Sequence, residues 1–140
     1  MGEIAQMFPD TQFIVHASTY ATENFSQLDN IWFEVVQYPD GRDSKWDFNS
    51  LANKVNKERI IFGADLPYYD YRFLQKIIEE SDCSDDLKDR IAYRNIIALI
   101  RHYSPNWKLP EEPIKAPRLY TSKELWSHNP QLPDRLTVYA

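Results

Sequence analysis

Residues 59–67 read RIIFGADLP. The run Ile60-Ile61-Phe62 is too short for a buried helix and is made of β-branched and aromatic residues, so it reads as a strand. It is apolar at consecutive positions, which marks a strand covered on both faces, the ordinary state of a parallel sheet in an α/β protein. Gly63 lets the backbone turn at the end of the strand, Asp65 leaves a carboxylate just beyond it, and Pro67 closes the stretch. In parallel α/β folds ligands meet the carboxyl ends of the strands, where loops and helix N-termini converge. The acid at Asp65 stands at that place.

Upstream, TQFIVHAS supplies a second short apolar run, Phe13-Ile14-Val15, ending in His16. NIWFEVVQY is a third strand, again rich in aromatic and β-branched types. Before them, Ile4, Met7 and Phe8 fall at near-helical spacing and are stopped by Pro9. TYATENFSQLD leaves room for a turn and a short helix. Asp47 reads as an N-cap, followed by Phe48, Leu51 and Val55 at i, i+3, i+7. Downstream, YRFLQKIIEE and SDDLKDRIAYRNIIALIRHY read as two helices. In the second, Ser84 caps, Asp85 and Asp86 sit in the positive first turn, and Arg101 and His102 lie near the negative end.

Apolar strands alternating with helices indicate an α/β chain of about three parallel βα units over residues 1–103, built with right-handed crossovers. Residues 104–140 form a Pro- and aromatic-rich C-terminal extension, with six of the nine prolines of the chain spaced along it. Trp107, Tyr120, Trp126 and Tyr139 predict that this arm docks on an apolar surface. A net charge of −5 without a Lys/Arg block gives no electrostatic footprint for nucleic acid or anionic membrane. No run approaches the ~20 apolar residues of a membrane span, and the start lacks the pattern of a signal peptide. Cys83 is the single cysteine, so no internal disulfide forms, and a reducing cytoplasm is expected.

Two side chains are placed for chemistry. His16 ends the first strand and Asp65 lies past the third. A carboxylate there can hold a divalent metal and take a proton from its bound water, and an imidazole across the mouth can act as a base or orient an oxyanion. The same positions also suit a helix N-cap aspartate and a hydrogen-bonded structural histidine, so spacing alone leaves both accounts open.

RIIFGADLP resembles the R-I-L-F-G-S-D-x-P signature at the eighth strand of the amidohydrolase-related family of metal-dependent hydrolases and decarboxylases. FPDTQFIVHAS is similar to that family's sixth strand, hP-x-hh-hhh-H-h-G, and NIWFEVV to its seventh, N-V-h-h-D. IAYRNIIALI resembles its closing helix, with Asn95 at the recurrent asparagine. The pattern departs at Ala17-Ser18, where glycine is common, and at Ala64, where serine is.

The resemblance implies a partial (β/α)8 TIM barrel, its strands six to eight. It also implies that Asp65 is the metal-binding, proton-accepting aspartate and His16 a substrate-facing histidine, with both assigned as catalytic and metal-binding residues. The metal would be zinc and the substrate a small molecule, processed by hydrolysis or decarboxylation. Tyr68 and Tyr69 would stand at the pocket mouth, and Trp32 and Glu34 are lesser candidates. The family's His-x-His pair on the first strand has no counterpart among His16, His102 and His128. One carboxylate and one imidazole do not make a tight zinc site, so the chain by itself is expected to be inactive and to hold no metal tightly, and its expected partner is a second copy or a complementing chain. The contrasting expectation is a non-catalytic, oligomerising or partner-binding module derived from a truncated barrel.

Overall fold

The computed structural model describes residues 1–36, 46–63 and 71–109. Met1–Pro105 makes one unit and Asn106–Ala140 another; the elements below belong to the first. In chain order they are α1 (Gly2–Met7), β1 (Phe13–His16), α2 (Thr19–Phe25), β2 (Ile31–Val35), α3 (Phe48–Lys54), β3 (Ile60–Phe62), α4 (Tyr71–Glu80), α5 (Asp85–Asp89) and α6 (Asn95–Tyr103). Among the described residues the sheet has three parallel strands in the order β1-β2-β3, so chain order is also spatial order. The chain is thus α/β with a small parallel sheet.

Helices α2, α3 and α5 begin where the sequence offers a side-chain cap. Ser18 Oγ accepts from Ala21 N at 3.1 Å, Asp47 Oδ1 from Ser50 N at 2.8 Å, and Ser84 Oγ from Leu87 N at 3.3 Å. One sheet face carries Phe13, Val15, Ile31, Phe33, Val35, Ile60 and Phe62, joined in one core with Ala5, Phe25, Phe48, Leu51, Leu74, Ile78 and Ile91 from the helices. The opposite face carries Trp32 and Ile61, against which α6 lays Ile96 and Leu99. The apolar residues of α1 behave differently from their spacing. Ala5 is the buried residue of that helix, while Ile4, Met7 and Phe8 are exposed, as is Ile14 on β1. No described helix is long and apolar enough to cross a membrane.

The amino ends of the strands are tied by side-chain amides and one guanidinium. Buried Asn30 donates through Nδ2 to the carbonyls of Ala5, Phe8 and Thr11 at 2.9, 3.0 and 3.0 Å, joining the end of α1 and the start of β1 to β2. Arg59 donates to the Leu28 carbonyl and lies 3.3 Å from Asp29, which ties the entrance of β3 to that of β2. Asn95 donates to the carbonyls of Lys57 and Ile60 at 2.8 and 2.7 Å. Its amide therefore holds the amino end of β3.

The long second helix expected from the sequence is continuous but not uniform, because Arg90–Arg94 forms a π turn between α5 and α6. Its inward residues Leu87, Ile91, Asn95 and Leu99 are all buried and recur every fourth position. At about 3.6 residues per turn such a row drifts around an α-helix by ~40° per step. One wider turn offsets the drift and keeps Asn95 aimed at β3 and Leu99 at Ile61. On the outer side Asp86 accepts from Arg90 Nε at 2.8 Å and Arg94 at 3.0 Å.

Two outcomes are expected. Asn95→Leu leaves two backbone carbonyls unpaired and should cost about 1–3 kcal/mol, read as a lowered thermal midpoint. The hydrogen bond from Arg90 first, and then the charges of Arg90, Lys57 and Arg94, hold the Asp86 carboxyl below its ordinary 3.8. A depressed carboxylate pKa stabilises the fold above the unfolded value, and that contribution disappears as pH falls through the lower folded value. NMR titration below pH 3.8 should show Asp86 protonating late, and Arg90→Gln should bring its midpoint back up.

Candidate functional site

The parallel register that clasps the amino ends leaves the carboxyl ends open to side chains. β1 delivers His16 directly opposite Glu34 of β2, and Glu34 in turn faces Ile61 of β3. Residues paired in this way point to the same side of a sheet, so the two stand together on the face opposite the main core. His16 Nδ1 lies 3.3 Å from Glu34 Oε2, with the imidazole half-exposed and the carboxylate more sheltered, at 53% and 28% side-chain exposure.

Gly63 completes the group. Its N–H donates to the Val35 carbonyl at 2.9 Å, which extends the ladder one residue past β3. Its φ lies outside the left-handed region. A Cβ at Gly63 would fall on the carboxylate and Cγ of Glu34 and displace that side chain. The Glu34 side chain thus lies across Gly63 in the room that the glycine leaves.

The floor of the site is apolar. Trp32, two residues before Glu34 on the same face, is 8% exposed and donates its indole N–H to Gln12 Oε1 at 2.7 Å. Gln12 N donates to Tyr103 Oη at 2.8 Å, linking the far end of α6 to the entrance of β1. Beyond His16 the chain folds at once into α2: Ser18 N donates to the His16 carbonyl at 2.8 Å and Ser18 Oγ caps the helix. A serine cap does the work at the position where the family pattern commonly has glycine.

Of the residues singled out in the sequence, His16, Trp32 and Glu34 are brought together on one face. Asp65, Tyr68, Tyr69 and His128 lie outside the described residues. His102 lies in the last turn of α6, edge-on to Tyr103 with ring centroids 5.0 Å apart. Among the described residues, no three His, Cys, Asp or Glu side chains group closely enough to hold a metal ion. A separate cleft of about 470 Å³ lies between α4 and α5, lined by Phe62, Gln75, Ile78, Glu79, Lys88 and Ala92. Lys88 Nζ there donates to the Glu79 carbonyl at 3.0 Å, a bond between helix ends.

Sequence reasoning ranked Glu34 below Asp65 and His16. The signal that could have raised it is a lone acid in the otherwise apolar strand IWFEV, at the place where the family's strand pattern carries aspartate. Comparison with family models, curated proteins and solved structures finds no significant match to this chain.

The half-exposed His16 contributes little packing, and Trp32 a great deal. His16→Ala should move stability by no more than about 0.5 kcal/mol, as for ordinary surface substitutions. Trp32→Ala should cost about 3–5 kcal/mol. Chemical denaturation of the two variants side by side checks the contrast, and a large loss in His16→Ala would make His16 a structural residue.

Proposed function

We propose that this chain is the C-terminal portion of a metal-dependent hydrolase of the amidohydrolase-related type, a partial TIM barrel that carries part of an active site. The observation that carries the reading is the order of the parts. Three parallel strands lie side by side in chain order, and a histidine and a carboxylate stand at their carboxyl ends. The strand-six, strand-seven and strand-eight resemblances follow the same succession. In this reading His16 accepts a proton or hydrogen-bonds the substrate, with Trp32 on the same sheet face excluding water, and Asp65 is the second catalytic group. The substrate is a small molecule, and the compartment is the cytoplasm, in keeping with a buried, unpaired Cys83.

A zinc ion in such a family polarises the scissile group and activates water. A catalytic zinc takes three protein ligands and an open position. The described residues offer His16 and Glu34, and the Nδ1 of His16 is turned toward Glu34. By themselves they do not fit a tight zinc site. In this reading the purified chain is inactive alone, and the remaining ligands would have to come from a complementing chain.

A second reading, a non-catalytic oligomerising module, is favoured by one feature. Ile4 and Met7 on α1, Phe8 just beyond it and Ile14 on β1 are exposed apolar residues, and β1 leaves a strand edge open to pairing among the described residues.

Calorimetric zinc titration of the purified chain tests the first reading. Binding should be micromolar or weaker, fall further in Asp65→Asn, and be accompanied by no hydrolase turnover. Weak binding that is unchanged in Asp65→Asn removes Asp65 from the metal site and the hydrolase reading with it. Sedimentation showing self-association in that event would leave the module reading.

A further inference from the structure

We propose that Glu34 is a positioning residue for His16. Its carboxylate, seated in the space that Gly63 leaves, accepts the Nδ1–H of the neutral imidazole and fixes the tautomer whose lone pair is on Nε2. The inference deepens the proposed function, since it rests on that reading for the use made of His16, but the pair itself is observed independently of any reaction.

The argument begins with the register. His16 and Glu34 are cross-strand partners in a parallel ladder, and their side chains leave the sheet on the same face. The backbone beneath them is fixed, because Ala17 N donates to the Glu34 carbonyl at 2.8 Å. A glutamate on a strand ordinarily has several rotamers open to it. Here the missing Cβ of Gly63 opens a slot in which the carboxylate and Cγ rest, and from that slot Oε2 reaches Nδ1 at 3.3 Å.

Which ring nitrogen of a neutral histidine carries the proton is set by the partner of the other. A carboxylate is an acceptor only, so the nitrogen facing it must be the donor. Nε2, on the far side of the ring, is left with the lone pair. That is the form in which an imidazole accepts a proton or ligates a metal, and a carboxylate behind a working histidine is the common way of holding it there. Gly63 thus acts through Glu34, and Glu34 through His16.

The test reads tautomers and needs neither substrate nor metal. Two-bond ¹H–¹⁵N correlation spectra of the full chain, labelled at histidine and recorded where the imidazoles are neutral, distinguish Nδ1–H from Nε2–H; His16→Asn identifies the signal. In the native chain Nδ1–H should predominate by roughly tenfold, the bias that a hydrogen bond to a charged group imposes. Glu34→Ala should return His16 to the Nε2–H form preferred by free imidazole. Gly63→Ala, which retains the carboxylate but fills its seat, should shift the population in the same direction, and should have no further effect in the Glu34→Ala background. A native His16 that is mainly Nε2–H overturns the inference, and so does a tautomer ratio unmoved by both single variants. Because the signal is recorded without metal, zinc binding unchanged in Asp65→Asn, in a chain with the expected tautomer, would sink the hydrolase reading and leave the pair standing.

Discussion

The unit Met1–Pro105 depends on β2. It is hydrogen-bonded along both edges, to β1 and β3, and covered on both faces, with Ile31, Phe33 and Val35 on one side at 0% exposure and Trp32 on the other. Parallel neighbours oblige the chain to leave each strand at its carboxyl end and enter the next at the amino end, so a crossover, usually helical, lies between successive strands. The main core follows from this demand. α2 and α3, each started by a side-chain cap, bring Phe25, Phe48 and Leu51 onto the face that β2 presents.

Around that strand the two ends of the sheet have divided their work. At the amino ends, Asn30, Arg59 and Asn95 bond to backbone carbonyls in or near the core. These bonds set how far each strand enters the sheet. Register at the carboxyl ends is thereby determined without using any side chain there, and His16, Glu34 and Gly63 meet as a consequence. A π turn belongs to the same economy. It gives up regular helix geometry at Arg90–Arg94 so that a row of every-fourth residues can reach from the core to Asn95 and on to Leu99.

Pairing of an imidazole with a carboxylate across neighbouring strands is also the point where stability and chemistry separate. The pair is partly solvated, so it adds little to folding. What it supplies is orientation of a ring that solvent would otherwise leave free to exchange tautomers and rotamers. A glycine kept for the room it leaves, beside a charged residue in an apolar strand, makes sense as the means of that orientation. Packing alone would favour a side chain at Gly63 and an apolar residue at position 34.

Much of the fold was legible in the sequence because its signals are local. Consecutive apolar residues in IWF and IIF mark doubly covered strands, while the same pattern in FIV marks a strand with one face bare at Ile14, and Ser84 and Asp47 announce helices by chemistry that acts within three residues. His16 could be placed at a strand end for the same reason. Local pattern misled where burial is set by distant partners: the spacing of Ile4, Met7 and Phe8 resembles a core face, yet Ala5 is the residue that the sheet buries. The carbonyls held by Asn95 and the seat that Gly63 makes for Glu34 are relations between residues 29 to 38 positions apart. Periodicity carries no record of such distances. The sequence by itself determined that parallel strands would bring a histidine to their carboxyl ends; only the tertiary register decided that a glutamate would stand beside it, because that depends on which residues face each other across the ladder.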